Sequence, residues 1–187
     1  MEPLASLFDR IEGPDDAVRG DAYLQVMDRA DDPAEVYALW PRFEALLVHA
    51  GNHLRSIGGQ LYAHFACQDP EGRVWDLWDR WKAVAEDKMF VTARHTLQAS
   101  PRFARAGEEH RRRLIEYYQQ RFRSCAAEKN TTLIRYDLQV CLRAVYDQNS
   151  DPDLAALART LIAEEPDLKY QAKYRTAWRN VPGAGSL

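Results

Sequence analysis

Residues 32–65, DPAEVYALWPRFEALLVHAGNHLRSIGGQLYAHF, contain the pattern that decides the fold. Apolar residues recur every three or four positions in one stripe from Val36 to Leu47 and in a second stripe from Leu54 to Phe65. This spacing is typical of helices that bury one face. Because the turn pair Gly51-Asn52 separates the two stripes, the segment predicts a helical hairpin.

Similar pairs of stripes occupy the rest of the chain, and no stretch shows the sustained alternation of a half-buried strand. The sequence therefore predicts an all-α protein of about five helical hairpins. One further pair precedes the hairpin and three follow it, with stripes over residues 4–11 and 16–28, 74–84 and 90–97, 114–125 and 134–145, and 154–162 and 170–178.

Two markers indicate that the hairpins are copies of one unit. The pair Asp-Pro, a helix start signal, occurs at Asp32-Pro33, Asp69-Pro70 and Asp151-Pro152, with steps of 37 and 82 residues. The second step equals two units of 41, with a degenerate start near Gly107 between them. A basic residue also opens each second helix at intervals of 36 to 41, in the series Arg19, Arg55, Arg94, Arg135 and Lys173.

A unit of about 40 residues made of two antiparallel helices fits the HEAT and armadillo class of α-solenoid. The segments Ala17–Arg19, Val91–Arg94 and Leu133–Arg135 resemble the second-helix pattern of HEAT repeats. The stretch Lys88–Pro101 is also similar to small bacterial HEAT-like proteins of undefined function. This resemblance implies a right-handed α-α superhelix, in which the second helices line the concave side, and it implies no reaction.

The composition agrees with one folded domain. The chain has 187 residues, of which 46% are hydrophobic and 28% are charged, and it carries a net charge of −3. These values exclude an intrinsically disordered chain and give no sign of an electrostatic nucleic-acid binder. We expect a single HEAT-like repeat domain over residues 1–180 and a flexible tail over residues 181–187.

The repeated arginines are the most ordered polar feature of the sequence. In stacked repeats, Arg55, Arg94 and Arg135 would form a ladder along the inner helices, and such a ladder could bind an acidic ligand. The alternative is structural: each arginine bonds a side chain at a neighbouring turn and holds one repeat against the next. The candidate partners are Asp15, Asp16, Asn52, Asp87 and Asn130.

A dense group of tryptophans suggests a second candidate site. HEAT-like alkylpurine DNA glycosylases resemble this chain in architecture and use an aromatic pocket with an Asp and an Arg. By this resemblance, Trp75, Asp79 and Arg94 would form the pocket for a damaged base. The acidic net charge argues against a DNA groove, and the alternative is that Trp78 and Trp81 are core residues with Trp75 at an edge.

The remaining polar clusters predict neither a metal site nor a cofactor. His49 and His53 are four residues apart, but the Gly51-Asn52 turn lies between them, so we expect a surface pair. The charge run Glu108–Arg113 places acidic residues before basic ones and predicts a solvated helix face, with nucleic-acid contact as the alternative. The sequence contains no HExxH, paired CxxC, Walker loop, GxGxxG or GxSxG motif.

We therefore expect a non-catalytic scaffold or adaptor that binds a protein or peptide through its concave or end surface. The alternative is an enzyme of the DNA glycosylase type. We expect a cytoplasmic protein without a membrane partner, because no apolar run has membrane-spanning length and no signal segment follows Met1. Cys67, Cys125 and Cys141 are expected to be buried thiols. Self-association is a third interaction mode, if Tyr170, Tyr174 or Trp178 is left exposed.

Overall fold

The computed structural model describes residues 2–29 and 31–181 of the chain. Within these residues the chain forms eleven α-helices and four 3₁₀ helices, and it contains no β-strand. The all-α fold class predicted from the sequence is confirmed. The right-handed superhelix of about five hairpins stays a prediction.

The chain divides into two compact units, unit 1 (Met1–Ala106) and unit 2 (Gly107–Leu187). The single repeat domain expected over residues 1–180 stays a prediction. Val181, the first residue of the predicted tail, is buried, and residues 182–187 of that tail lie outside the described residues.

Unit 1 contains seven α-helices, and the long helix α5 lies at its centre. α5 packs against α2, α4, α6 and α7, while α1 packs against α2. A 3₁₀ helix, Ser100–Ala106, follows α7 and packs against α5 and against a second 3₁₀ helix, Ala66–Gln68. The α-helices are α1 (Leu4–Glu12), α2 (Asp16–Met27), α3 (Pro33–Ala38), α4 (Trp40–Leu47), α5 (Asn52–Phe65), α6 (Trp78–Ala85) and α7 (Phe90–Ala99).

Two adjacent glycines let α5 approach its neighbours closely. A Cβ atom on Gly58 would lie 2.7 Å from Cβ of Leu46 in α4, and one on Gly59 would lie 2.6 Å from Cγ2 of Thr96 in α7. Real Cβ atoms do not make contacts this short, so only glycine fits at this helix spacing. α5 runs without interruption through both glycines.

Unit 2 is built around the long helix α9. Its α-helices are α8 (Glu108–Ser124), α9 (Thr131–Asn149), α10 (Pro152–Ala163) and α11 (Leu168–Ala177), and α8, α10 and α11 all pack against α9. Tyr174 and Trp178 are fully buried. The Tyr174 hydroxyl donates to the Thr132 carbonyl at 2.8 Å, and Trp178 Nε1 donates to Gln139 Oε1 at 2.8 Å. These two aromatic residues therefore do not provide the exposed patch considered for self-association.

The Asp-Pro signal marks a helix start at two of its three positions. Asp32 accepts a hydrogen bond from the Ala34 N–H at 2.8 Å, and Asp151 accepts one from the Asp153 N–H at 2.9 Å. The expected start at Asp69-Pro70 is wrong. Asp69 is buried and accepts hydrogen bonds from the Tyr37 hydroxyl and the Val74 N–H, both at 2.6 Å, so its carboxylate links α3 to the 3₁₀ helix Arg73–Trp75, and no α-helix begins at Pro70.

Two stripes that predict continuous helices are interrupted. The stripe from Val36 to Leu47 is divided into α3 and α4 at Leu39. The cause is Pro41, which lacks an N–H for the Tyr37 carbonyl and whose ring would clash with that carbonyl in a continuous helix. The stripe over residues 74–84 predicts one helix, but its first residues belong to the short 3₁₀ helix Arg73–Trp75. The helix α6 begins only at Trp78.

The three cysteines are free thiols, but only two of them are buried as expected. Cys125 and Cys141 lie in the core of unit 2, whereas Cys67 is exposed, and its expected burial is wrong. Its position in the short 3₁₀ helix Ala66–Gln68, beyond the end of α5, explains the exposure. Among the described helices, none combines the length and the apolar character that crossing a membrane requires.

Candidate functional site

Arg55 of α5 binds the turn between α4 and α5 and the turn that follows α6. Its Nη1 donates to the carbonyls of His49 and Ala50 at 2.7 and 2.8 Å, and its Nε donates to Asp87 Oδ2 at 2.7 Å. Burial raises the pKa of Asp87, but hydrogen bonds from Arg55 and from the Met89 N–H outweigh burial and hold this pKa below its usual value. Asp87 was one of the partners expected for the structural alternative.

Arg135 of α9 makes the corresponding contacts in unit 2. Its Nε donates to the Phe122 carbonyl at 2.9 Å, near the end of α8, and its Nη1 lies 3.0 Å from Glu165 Oε2, in the turn between α10 and α11. Arg135 and Glu165 are both buried, and the guanidinium lies 4.7 Å from the centre of the Phe122 ring. The Tyr174 hydroxyl donates to the same Glu165 oxygen at 3.1 Å.

Arg19 shows that this geometry recurs near the N-terminus. Its Nε and Nη2 donate to the carbonyls of Ile11 and Gly13 at the end of α1, at 2.9 and 2.6 Å, and its Nη1 pairs with Asp16. Arg19, Arg55 and Arg135 thus each donate to carbonyls at or just beyond the C-terminus of the preceding helix, where positive charge is favoured. These contacts support the structural alternative for Arg55 and Arg135. Arg94, a partly buried residue of α7, also has an interaction within the structure.

The residues of the expected glycosylase pocket lie on three different elements. Trp75 belongs to the 3₁₀ helix Arg73–Trp75, Asp79 to α6 and Arg94 to α7. The Asp79 side chain is 91% exposed and pairs with Lys82 on its own helix at 2.7 Å. A carboxylate in this position faces water instead of a recessed base pocket.

The tryptophans of this cluster pack against one another, but only Trp81 among them lies in the core, whereas Trp78 is partly buried. Trp78 and Trp81 stack with ring centres 4.9 Å apart, and Trp75 meets the edge of Trp78 at 5.3 Å. Trp81 is fully buried and donates from Nε1 to the Gly59 carbonyl at 3.1 Å. Trp75 is partly exposed at the edge of this stack.

The histidine pair lies in solvent, and the charge run is partly exposed. His49 and His53 are exposed, and His49 Nδ1 accepts a hydrogen bond from the Gly51 N–H at 2.9 Å. Hydrogen bonds from Arg112 and Arg113 lower the pKa of Glu109 to about 2 at the start of α8. Across residues 2–29 and 31–181, no group of three His, Cys, Asp or Glu side chains is arranged to hold a metal ion.

An open cavity of about 460 Å³ lies on the C-terminal half of α2. Its lining combines two large apolar side chains, Leu24 and Met27, with the polar residues Gln25 and Asp28. Leu24 is 65% exposed although it belongs to a regular helix. No sequence pattern distinguishes this surface, because Leu24 has the spacing of a residue on the buried face of a helix.

A second group of residues that the sequence analysis did not assemble lies around the 3₁₀ helix Ser100–Ala106. Arg102 and Arg105 belong to this helix, and Cys67 donates from Sγ to the Arg102 carbonyl at 3.4 Å. Tyr23 and His64 lie within electrostatic reach of Arg102. The spacing Arg-x-x-Arg after Pro101 was the available signal, since residues three apart share a face in a helical turn.

Comparison of the chain with protein family models, with curated proteins and with solved structures finds no match.

Proposed function

We propose that the protein is a HEAT-like scaffold or adaptor, without catalytic activity, that binds a protein or peptide partner in the cytoplasm. In this proposal the helix pairs form a right-handed solenoid of about five hairpins. The repeated use of Arg19, Arg55 and Arg135 on the preceding helix ends supports such a repeat, because one contact recurs at the period of the sequence pattern.

The observation that carries the binding role is the cavity on α2. Leu24 and Met27 offer apolar surface to a partner, and Gln25 and Asp28 add polar groups beside it. An apolar centre with a polar rim is the usual composition of a protein interface. α2 is also a second helix of its pair, the kind of helix that lines the binding side of a solenoid. The occupant we propose is therefore an apolar side chain of the partner.

The test compares two exposed apolar positions of unit 1. Wild-type protein and the variants Leu24→Ser and Val91→Ser are used to capture partners from the native cell. Val91 is 60% exposed, close to the 65% of Leu24, and lies on α7. We expect one protein to be captured by wild type and by Val91→Ser and to be lost with Leu24→Ser, with unfolding midpoints that remain close together. Equal capture by all three proteins would reject the α2 surface.

The same proteins test the glycosylase alternative. A DNA-binding enzyme needs a positively charged groove, whatever its net charge. We expect no retardation of duplex DNA at physiological salt and no release of alkylated bases. Salt-dependent DNA binding together with base release would replace the scaffold proposal.

A further inference from the structure

Arg102 and Arg105 are unusual among the arginines of unit 1. Their side chains form no hydrogen bond and no ion pair with the residues that the structure describes. Arg94 has an interaction of its own. The remaining described arginines of this unit each pair with a carboxylate, namely Arg10, Arg19, Arg29, Arg42, Arg55, Arg73 and Arg80.

The backbone that carries these two arginines is held firmly. Phe103, between them, is fully buried, and its ring centre lies 5.3 Å from that of Trp78, 5.0 Å from that of Trp81 and 6.1 Å from that of Tyr62. Pro101 restricts the backbone at the start of the turn. With three residues per turn, a 3₁₀ helix places side chains at positions i and i+3 directly above one another, so Arg102 and Arg105 share one face.

Three side chains from other elements lie within electrostatic range of these arginines. The Cys67 thiol contacts the Arg102 backbone, and burial raises its pKa while the charges of Arg105 and Arg102 oppose that shift. Burial also raises the pKa of Tyr23, against the charge of Arg102. Burial lowers the pKa of His64, and Arg102 acts in the same direction. The charge of Arg102 therefore acts on all three groups.

The surrounding polar atoms are already engaged, which leaves the two guanidiniums as the available donors. The Tyr23 hydroxyl donates to Gln60 Oε1 at 2.8 Å, and His64 Nε2 lies 2.9 Å from the Arg29 carbonyl. The acidic group that acts on His64 is Asp31, whose carboxylate is buried and pairs with Arg29. Two unpaired cations thus remain on one face of a fixed backbone.

We propose that Arg102 and Arg105 form a binding site for a phosphate group. Two guanidiniums match the charge of a phosphate monoester, which is close to −2 at neutral pH, and their planar N–H groups fit its oxygen atoms. The site goes beyond the scaffold role, because it takes a free phosphate anion or a phosphorylated side chain by the same chemistry. The phosphate site is tested with small anions and without a protein partner. A negative result would therefore not count against the proposed partner-binding surface on α2.

Cys67 provides a direct probe of this site. Cys125 and Cys141 are buried, so Cys67 is the thiol that reagents reach first. Iodoacetate carries a negative charge and iodoacetamide does not, so the ratio of their alkylation rates measures the local positive charge. We expect this ratio to fall by about tenfold in the double variant Arg102→Gln/Arg105→Gln. It should be unchanged in Arg80→Gln, which removes an exposed arginine that pairs with Glu44 elsewhere in unit 1.

Inorganic phosphate and a phosphoserine peptide are then tested as protecting ligands at constant ionic strength. Each is expected to slow the alkylation of Cys67 in wild type and in Arg80→Gln and to have no effect in the double variant. Stronger protection by the peptide assigns the site to a phosphorylated partner, and stronger protection by inorganic phosphate assigns it to the free anion. The single variant Arg105→Gln, at an exposed position, serves if the double variant does not fold.

Two results would overturn the proposal. One is an alkylation rate ratio that stays the same in wild type and in the arginine variants. The other is protection by chloride, or by the same peptide carrying unmodified serine, that equals the protection by phosphate.

Discussion

Two neighbouring carboxylates in unit 2, Glu164 and Glu165, show how the surroundings of a residue decide its role. Glu165 is buried and binds the buried guanidinium of Arg135, whereas Glu164 binds Arg123 at the surface, with a side chain of Arg123 that is 52% exposed. Charges in water gain little from pairing, while a buried charge without its partner is very unfavourable. Only the first pair should therefore matter for stability.

Replacing Arg135 with Ala should lower the free energy of unfolding by about 3–5 kcal/mol, because Glu165 would remain buried without its cation. The matched control, Arg123→Ala, should cost less than about 1 kcal/mol. Chemical denaturation of both variants, followed by circular dichroism, measures the difference. If both variants lost equally little free energy of unfolding, the result would instead favour a role of Arg135 in binding a ligand.

His64 should make the stability of unit 1 depend on pH. Burial lowers its pKa below the ordinary value of 6.5, so the unfolded chain takes up the proton at a higher pH than the folded chain does. The folded state therefore loses stability as the pH falls below about 6.5. In His64→Gln, the unfolding midpoint should fall less between pH 7 and pH 5 than in wild type. Exposed His49, replaced in the same way, should leave the pH dependence of wild type unchanged.

At the scale of the helix, close contact depends on the glycines of α5. Gly59 lies against Thr96, whose side chain is buried and branched at Cβ and has little freedom to move away. Gly20 in α2 has open space around it, because a Cβ atom there would meet nothing within 4 Å. The two positions separate the effect of helix propensity from that of packing.

Gly59→Ala should destabilise the protein by about 1–3 kcal/mol, because the new methyl group must push Thr96 away. Gly20→Ala should stabilise it by about 0.5–1 kcal/mol, because alanine favours the helix and meets no obstacle. Thermal and urea unfolding of the two variants give the sign of each change. A stabilised Gly59→Ala protein would show that α5 and α7 are not packed as closely as described.

For the whole molecule, the division into units predicts how shortened chains behave. Unit 1 ends at Ala106, so a fragment of residues 1–106 retains all of its elements. A fragment of residues 1–150 adds α8 and α9 but lacks α10 and α11, which pack against α9. Apolar residues of α9 are buried in unit 2, and we expect the loss of α10 and α11 to expose some of them, among Ile134, Leu138, Cys141, Leu142 and Val145.

The 1–106 fragment should therefore be helical, unfold cooperatively and remain a monomer. The 1–150 fragment should also be helical but should self-associate, because association with a second copy would remove the exposed apolar residues of α9 from water. Circular dichroism, thermal unfolding and sedimentation of both fragments provide the measurement. If the 1–150 chain were an unfolded monomer, the stacked arrangement of helix pairs would be wrong.

The sequence by itself determined the all-α class, the bounds of several helices and the starts at Asp32 and Asp151. These features depend on hydrogen bonds and apolar spacing within one segment, so a local pattern is enough to predict them. The sequence also placed Asp87 among the candidate partners of the repeated arginines, and the structure pairs it with Arg55. Pro41 was a local signal for the break between α3 and α4. The apolar spacing continues through Pro41, so the stripe alone predicted one continuous helix.

Only the tertiary structure decided which polar side chains meet. Asp69 repeats a helix start signal, yet its carboxylate binds the hydroxyl of Tyr37, which lies 32 residues earlier, because the fold brings α3 to it. Likewise, the pairing of Arg135 with Glu165, the exposure of Cys67 and the two unpaired arginines of the 3₁₀ helix depend on residues from separate elements. Side chains distant in sequence make these contacts, so the free energy that selects them appears only once the helices have packed.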